Sequence, residues 1–301
     1  MKNRVFVSVP ASSGNVGVGF DVLGLALSLR NELTVRVIGR AGKPVIHVRG
    51  EGIEGLPTDE RNAVFATMRW LYRKAGRRLP QLEITCLNRI PLARGLGSSS
   101  TAYLAALLAA NRLMGDKFSR EQILDFATEL EGHPDNVAPA LYGGLRISGV
   151  FSDRVVSVPA PAPKCRLIAA VPAFQLSTAK ARAALPATVP LEDAVHNLAS
   201  VALLPHALAK DENLLTDLLQ DRLHEPYRAK LVPGFYAVRK AARTAGAYAM
   251  TLSGAGPTLL AFAPASKARG VAAAMKRAFK RSGVECRTMD LRVDTQGAIV
   301  R

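Results

Sequence analysis

Residues 90–101 read Ile-Pro-Leu-Ala-Arg-Gly-Leu-Gly-Ser-Ser-Ser-Thr, and this stretch says most about the fold. It follows a strand-like segment, Leu82 to Leu87, and leads into a segment with helical spacing, Thr101 to Met114. A strand, a glycine loop and a helix in this order point backbone N–H groups and the helix dipole at an anion. We therefore predict a phosphate-binding loop. It lacks the Gly-Lys-Ser/Thr ending of a Walker A motif, which excludes a P-loop NTPase.

The segments around this loop mix strands and helices without regular βαβ alternation. Further strand-like stretches are Arg4 to Val9, Glu32 to Ile38, Val45 to Val48, Arg166 to Val171 and Glu285 to Leu291, with a strand, loop and strand from Tyr248 to Phe262. Helical spacing covers Asn62 to Ala75, Ser119 to Leu130, Leu191 to Ala209, Phe235 to Thr244 and Lys267 to Arg281. Ser119 and Gln122 stand in capping-box register. This mixture predicts an α+β fold and disfavours a doubly wound dinucleotide fold.

A proline-rich segment divides the chain into two halves. Three prolines between Val158 and Pro163 forbid a helix and favour an extended connector. We therefore expect two domains, residues 1–157 and 158–301, with the active site in the crevice between them.

Composition narrows the class of protein. The chain has 301 residues, 49% hydrophobic content and a net charge of +16, yet its apolar runs are too short to cross a bilayer. The densest basic groups have helical spacing opposite apolar positions and lack interleaved aromatics, which favours solvated helix faces over a nucleic-acid site. Three widely spaced cysteines argue against structural zinc. We expect a cytoplasmic enzyme that binds neither membrane nor nucleic acid.

Three further motifs combine polar side chains with the glycine and proline residues that favour turns. Residues 10–21, Pro-Ala-Ser-Ser-Gly-Asn-Val-Gly-Val-Gly-Phe-Asp, are interpreted as a loop that presents Asn15 and Asp21, although a hairpin turn is the plain alternative. Residues 131–136, Glu-Gly-His-Pro-Asp-Asn, gather a possible Mg²⁺ ligand, Glu131, and a possible proton acceptor, Asp135, at a helix end. Residues 252–258, Leu-Ser-Gly-Ala-Gly-Pro-Thr, fit a hairpin almost as well as a substrate contact.

The four motifs, in this order, resemble those of the GHMP kinases, and the resemblance covers nearly the whole chain. It implies a ribosomal-S5-like N-terminal domain, a ferredoxin-like C-terminal domain, and transfer of phosphate from Mg-ATP to a small alcohol. Within that family, residues 10–21 resemble the homoserine kinase form, because Ser12 stands where mevalonate-type members carry a lysine. The implied acceptor is the hydroxyl of L-homoserine, and the implied pathway is threonine biosynthesis.

The resemblance also assigns roles to individual residues. The ATP site comprises Asn62 and the loop residues Pro91, Leu92, Ala93, Arg94, Gly95, Leu96, Gly97, Ser98, Ser99, Ser100 and Thr101. The Mg²⁺ ligands are Ser98 or Ser99 together with Glu131. The homoserine pocket comprises Asn15, Asp21, His133, Asn136, Arg182 and Arg228, and the candidate catalytic residues are Asp135, Asn136 and His133. Arginine binds a carboxylate and aspartate pairs with an ammonium group, so these pocket residues suit an amino acid, which carries both groups.

Some alternatives stay open at this stage. The acceptor is another small alcohol, of mevalonate, shikimate or sugar type, if Arg182 and Arg228 do not converge on one pocket. A non-catalytic basic protein that binds nucleotides or RNA is the alternative from a different class. The sequence does not fix the oligomeric state, and a homodimer is one option.

Overall fold

The computed structural model describes residues 3–301, so Met1 and Lys2, at the start of the expected first domain, lie outside the described range. Within residues 3–301 the chain forms two β-sheets covered by helices, which confirms the α+β class. No helix in this range is long and apolar enough to cross a membrane.

The described residues contain eleven strands: β1 (Arg4–Gly14), β2 (Leu23–Gly39), β3 (Val45–Gly50), β4 (Gln81–Asn88), β5 (Leu145–Phe151), β6 (Arg154–Ala160), β7 (Arg166–Pro172), β8 (Ala249–Leu252), β9 (Leu259–Ala263), β10 (Cys286–Leu291) and β11 (Ile299–Val300). They also contain ten α-helices: α1 (Ala63–Lys74), α2 (Ser98–Leu113), α3 (Arg120–Glu131), α4 (Pro134–Tyr142), α5 (Thr178–Ala183), α6 (Leu191–Lys210), α7 (Leu215–Leu218), α8 (Glu225–Arg228), α9 (Phe235–Thr244) and α10 (Ala268–Arg281).

The first sheet has the order β11-β1-β2-β4-β3, and β5 joins it by pairing with β2 and β6. Alternate residues of β1, namely Val5, Val7 and Val9, are completely buried on the face that α1 to α4 cover. β1 is longer than expected, because the sequence was interpreted as a loop from Pro10 onward. After a shift in register between Pro10 and Ala11, pairing with β2 continues to Gly14. The small residues 11–14 are buried against β2 and neighbouring loops, so the loop shrinks to residues 15–22.

Two helices on this sheet begin at side-chain caps, of which the sequence indicated the one at Ser119. Ser119 and Gln122 form a complete capping box at the start of α3, and Asn62 caps α1 by accepting a hydrogen bond from the N–H of Val64. The helix α4 was not predicted. Pro134 occupies its first turn, where a missing N–H does no harm, and residues 134–141 are all buried, which overrides the unfavourable Pro139 inside the helix.

The second sheet is antiparallel, with the order β10-β7-β9-β8. Its strand β7 is apolar on both faces. Leu167, Ala169 and Val171 join a core shared with β1 and β2 of the first sheet, whereas Ile168 and Ala170 face α9 and α10. The two halves of the chain are therefore packed together through a common apolar layer.

The connection between the halves differs in detail from the expected boundary at 157/158. That boundary falls within β6, which pairs with β5 as part of the first sheet. At the other end of the chain, β11 pairs with β1 in the same sheet. Residues from the expected second domain thus complete the first sheet.

Candidate active site

The loop between β4 and α2 has the geometry expected of an anion-binding site. α2 begins at Ser98, three residues earlier than predicted, so Ser98, Ser99 and Ser100 form its first turn. Gly97 precedes this turn in the left-handed conformation, with φ of 69°. The N–H groups of a first helical turn lack partners within the helix, and they form the positive end of the helix dipole. The loop can therefore bind phosphate oxygens through its backbone.

The loop is held from both sides. Its Leu96 carbonyl accepts a hydrogen bond from the N–H of Ser12 on β1 (3.2 Å), and its Gly95 carbonyl accepts one from the hydroxyl of Ser253 (2.7 Å). Arg94 donates to the carbonyl of Pro172 on β7 (2.9 Å). The position of the loop thus depends on both halves of the chain.

A cavity of about 420 Å³ lies in front of the loop, within the usual size of a small-molecule site. Its lining includes most of the predicted site residues: Asn15, Asp21, Asn62, Leu92, Ala93, Arg94, Gly95, Gly97, Ser98, Ser99, Thr101, Glu131, His133, Asp135, Asn136, Arg182 and Arg228. Three predicted residues do not line it. Leu96 is packed in the core, Ser100 is completely buried, and Pro91 lines a second cavity behind the loop.

Asn62 lines the cavity, but its side chain is already engaged. Its amide oxygen accepts a hydrogen bond from the N–H of Val64, and its amide nitrogen donates to the carbonyl of Pro57 (2.7 Å). The visible role of Asn62 is therefore to start α1 at the edge of the cavity.

The loop of residues 15–22 presents a fixed carboxylate. Asn15 and Asp21 both have positive φ, and the Asn15 side chain accepts a hydrogen bond from the N–H of Asp21 (3.0 Å) while donating to the carbonyl of Gly254 (2.9 Å). Arg182 on α5 donates to both carboxylate oxygens of Asp21 (2.8 and 3.0 Å). Arg182 thus reaches the cavity from the second half of the chain and meets a residue 161 positions away in sequence.

Arg228 at the end of α8 is only 2% exposed and forms no ion pair with any described residue. Its guanidinium makes only long hydrogen bonds: to the Ala181 carbonyl (3.3 Å), the Gly254 carbonyl (3.4 Å) and the His224 ring (3.4 Å). Burial lowers the pKa of this guanidinium, and the charge of Arg182 acts in the same direction. A buried arginine that lines a cavity without a counter-ion is suited to receive an anionic group.

Asp135 and Asn136 lie in the first turn of α4, beside the end of β1. The Asp135 carboxylate is 1% exposed, accepts a hydrogen bond from the N–H of Asn15 (3.0 Å) and makes a short contact with the His133 ring. The side-chain amide oxygen of Asn136 accepts a hydrogen bond from the Ser12 hydroxyl (3.0 Å). Gly14 makes this approach possible, because a Cβ there would overlap the Asp135 carboxylate. The glycine thus allows β1 and α4 to pack closely.

His133 is held between carboxylates. Burial by itself lowers the pKa of the imidazole, but the hydrogen bond and negative charge of Asp135, with the other nearby carboxylates, outweigh it, so the net shift of the pKa is upward. Asp21, His133 and Asp135 have possible ligand atoms within 4.8 Å of one another. Asp21 is nevertheless bound by Arg182, and Asp135 by the His133 ring, so these carboxylates already have protein partners.

Glu131, the last residue of α3, faces the first turn of α2. Burial raises the pKa of its carboxyl group, against the opposing effects of the Ser100 hydroxyl, the His133 charge and the Ser99 hydroxyl. The Ser100 hydroxyl is buried and has no hydrogen-bond partner among the described residues. A half-buried carboxylate beside serine hydroxyls supplies the oxygen ligands that Mg²⁺ prefers, so these residues fit that ion.

Some residues of the site were left open or missed by sequence reasoning. Gly254, Ala255 and Gly256, in the loop that the sequence left open between a hairpin and a substrate contact, line the cavity. Asn31 on β2 also lines it and accepts hydrogen bonds from the N–H groups of Arg89 (2.8 Å) and Ile90 (3.0 Å), which fixes the start of the phosphate loop. The only signal for Asn31 was a polar residue within an apolar strand.

Comparisons with known proteins agree with this geometry. Residues 62–144 match the family model for the GHMP kinases N terminal domain, and residues 201–281 match that for the GHMP kinases C terminal domain. A homoserine kinase of Carboxydothermus hydrogenoformans is 43% identical over 98% of this chain and 96% of its own length. One of Microchaete diplosiphon is 44% identical over 98% and 97%, respectively. The crystal structure of homoserine kinase from Cytophaga hutchinsonii superimposes with a TM-score of 0.88 at 33% identity, covering 100% of this chain and 98% of the other.

Proposed function

This chain belongs to the GHMP kinase family, and we propose that it is the enzyme that phosphorylates L-homoserine at its side-chain hydroxyl with ATP. In this reaction the hydroxyl oxygen forms a bond to the γ-phosphorus, the bond from that phosphorus to the β,γ-bridging oxygen breaks, and ADP leaves. The products are O-phospho-L-homoserine and ADP, and the hydroxyl proton is released. A cytoplasmic location is supported by the three free cysteines, Cys86, Cys165 and Cys286.

The observation that supports an amino-acid acceptor is the buried, unpaired Arg228. A carboxylate that enters the cavity supplies the counter-ion that Arg228 lacks among the described residues. Asp21 is paired with Arg182, but its side chain is 33% exposed, so the open side of its carboxylate can also accept a hydrogen bond from the α-ammonium group. A site for an uncharged alcohol has no need of a buried arginine, whereas a zwitterion needs both signs of charge.

The ATP phosphates are assigned to the first turn of α2, where Gly97 and Ser98 expose backbone N–H groups. Glu131 with the Ser98 or Ser99 hydroxyl would hold Mg²⁺, which supplies charge neutralisation for the phosphates when bound. Phosphoryl transfer requires mainly positioning and electrostatic stabilisation, and both are available in this arrangement.

We assign Asp135 the role of orienting the acceptor hydroxyl and receiving its proton. Its carboxylate is fixed by the Asn15 N–H and by His133, so little reorganisation is required during the reaction. Asn136 and His133 hold the acceptor in place beside it. From Asp135 the proton passes to solvent by way of His133, which lines the same cavity.

A coupled assay of ADP release tests the proposal, with homoserine, mevalonate, shikimate and galactose as acceptors. We expect turnover of homoserine with Mg-ATP, and no turnover of homoserine would overturn the assignment. Replacing Arg228 with glutamine removes a charged hydrogen bond worth about 1.5–3 kcal/mol, so kcat/KM for homoserine should fall by about 10- to 150-fold. The matched control is Arg243→Gln on the exposed side of α9, which should leave kcat/KM unchanged.

A further inference from the structure

A buried group of polar side chains lies behind Arg228, outside the cavity lining. It comprises Asn197 on α6 together with Asp221, His224 and Glu225 at the start of α8, and none of the four is more than 6% exposed. We call it the polar cluster. Its members touch neither the phosphate loop nor the candidate catalytic residues, so the proposed reaction does not use them directly.

Asp221 determines where α8 begins. One carboxylate oxygen accepts hydrogen bonds from the backbone N–H groups of His224 (2.7 Å) and Glu225 (2.6 Å). The other oxygen accepts from the amide of Asn197 (2.7 Å). A helix as short as α8, residues Glu225–Arg228, is not stable by itself in water. The direction of Arg228, its last residue, therefore depends on this capping carboxylate.

Glu225 anchors the same short helix to the second sheet. Its carboxylate accepts a hydrogen bond from the N–H of Leu252 on β8 (2.5 Å) and forms an ion pair with Arg239 on α9. Burial raises the pKa of Glu225, and the charge of Arg239 opposes that shift. Both acidic residues of the cluster are thus engaged by backbone N–H groups, and α8 is fixed to rigid elements at its start.

His224 links α8 to the loop that carries Asp21. Its ring is completely buried, and Nε2 donates a hydrogen bond to the carbonyl of Gly17 (2.7 Å). Because a carbonyl only accepts, Nε2 carries the proton, and Nδ1 faces Arg228 Nη1 at 3.4 Å. The ring also stacks on Phe20 (5.3 Å between centroids), and the Arg228 guanidinium lies over the same ring of Phe20 at 5.2 Å. Asn197 adds a second link by donating to the carbonyl of Val18 (2.9 Å).

We propose that His224, held in place by Asp221, is a positioning residue that sets the separation between Asp21 and Arg228. These two side chains have opposite charges and come from different halves of the chain, and His224 contacts both the loop of one and the side chain of the other. A fixed separation selects an acceptor whose carboxylate and ammonium groups are the right distance apart. This inference rests on the proposed function, since it explains how the homoserine pocket gains its selectivity.

The experiment compares two acceptors, L-homoserine and 3-amino-1-propanol. The second has the same hydroxyl and ammonium groups but lacks the carboxylate. We would measure kcat and KM for each acceptor, and KM for ATP, in wild type, His224→Leu, His224→Asn and His224→Gln. The control is His206→Gln, at an exposed position of α6. Glutamine retains a donor long enough to reach the Gly17 carbonyl, whereas asparagine is too short and leucine has no donor.

The leucine and asparagine variants should raise KM for homoserine by about 30-fold with little change in kcat, because the charged contact at Arg228 is weakened. KM for ATP should not change. The preference for homoserine over 3-amino-1-propanol, measured as the ratio of their kcat/KM values, should therefore also fall by about 30-fold, since the second acceptor makes no use of Arg228. Glutamine should restore most of the preference. If the leucine variant does not fold, the asparagine variant tests the same prediction, because asparagine keeps a polar side chain in the polar cluster.

An unchanged preference in the leucine or asparagine variant, even with both activities reduced, overturns the proposal, because a merely structural residue lowers both acceptors alike. So does a fall in kcat with KM for homoserine unaltered. Wild-type enzyme that turns over homoserine while the variants keep their preference refutes this inference alone. Wild-type enzyme that does not turn over homoserine overturns the proposed function as well.

Discussion

Replacing Gly95 with alanine should weaken the phosphate loop in two ways that can be measured separately. Gly95 has φ of 72°, a conformation that places the Cβ of an ordinary residue too close to its own backbone. The added Cβ would also press on the Ser253 carbonyl oxygen and lie 2.8 Å from the backbone nitrogen of Gly256. Both neighbours belong to the loop between β8 and β9, which holds the phosphate loop through the Ser253 hydroxyl.

The magnitude follows from these distances. The left-handed conformation costs roughly 1–2 kcal/mol for a residue with a Cβ, so unfolding stability should fall by that amount. An ordinary contact begins at 3.4 Å, so Gly256 must retreat by about 0.6 Å, and the Ser253 carbonyl oxygen, which lies nearer, must retreat further. Since a displacement of about 1 Å can cost a factor of about 100 in rate, we expect kcat/KM for ATP to fall by about 10- to 100-fold.

Two measurements check this prediction: urea unfolding for stability, and the ADP-release assay at varied ATP for kcat/KM. The matched control is Gly270→Ala on α10, where an added Cβ meets no atom within 4 Å. That control should keep full activity and gain up to about 1 kcal/mol of stability, because alanine favours a helix over glycine. A Gly95→Ala enzyme with kcat/KM for ATP within about threefold of wild type would refute the reasoning.

Three other predictions concern the metal, a buried thiol and a helix cap. Glu131→Gln should lower kinase activity by up to about 100-fold at low Mg²⁺, because a metal contributes several kcal/mol to phosphoryl transfer, and the activity should recover partly at high Mg²⁺. The control variant, Glu129→Gln, changes an exposed residue of the same helix and should respond to Mg²⁺ as wild type does. Burial raises the pKa of Cys86 to about 11, so the folded state keeps this thiol protonated and loses stability as pH rises from 9 through 11. The stability difference between wild type and Cys86→Ala, from urea unfolding, should therefore shift by about 1 kcal/mol in favour of alanine between pH 9 and 10, and an unchanged difference contradicts the burial effect. Asn62→Ala should lower stability by about 1 kcal/mol in the same assay, whereas Asn62→Ser, which keeps a capping oxygen, should not.

Local patterns predicted the elements that depend on local chemistry. The bounds of α9, Phe235–Thr244, follow from hydrophobic spacing alone, and the capping box at Ser119 follows from two residues three positions apart. The phosphate loop was predicted for the same reason, since its glycines and serines lie between a clear strand and a clear helix. Each of these features can be described within one short window of sequence.

Features that depend on burial were missed. Pro139 inside α4 opposes a helix locally, and the packing of all residues from Pro134 to Leu141 makes that helix stable. The small residues of β1 beyond Pro10 resemble a loop until they are paired with β2. Their strand character comes from partners that periodicity does not identify.

The candidate site required contacts between distant parts of the chain. Sequence motifs named Asp21, Arg182 and Arg228, but not the pairing of the first two, nor the lack of any ion-pair partner for the third among the described residues. His224 gave no local signal at all, because its importance lies in the Gly17 carbonyl, 207 positions away. A motif identifies which chemical groups are present, whereas the distances between them come from the fold.

The pairing of β11 with β1 affects how the protein is made. During synthesis the ribosome releases β1 first, and helices α1 to α4 can begin to cover one face of its sheet. The edge of β1 that later receives β11 stays open, however, until residues 299–301 have also been released. An open strand edge is a site for wrong pairing with another chain. The nascent chain therefore carries an aggregation risk at β1 throughout the synthesis of the residues that separate β1 from β11.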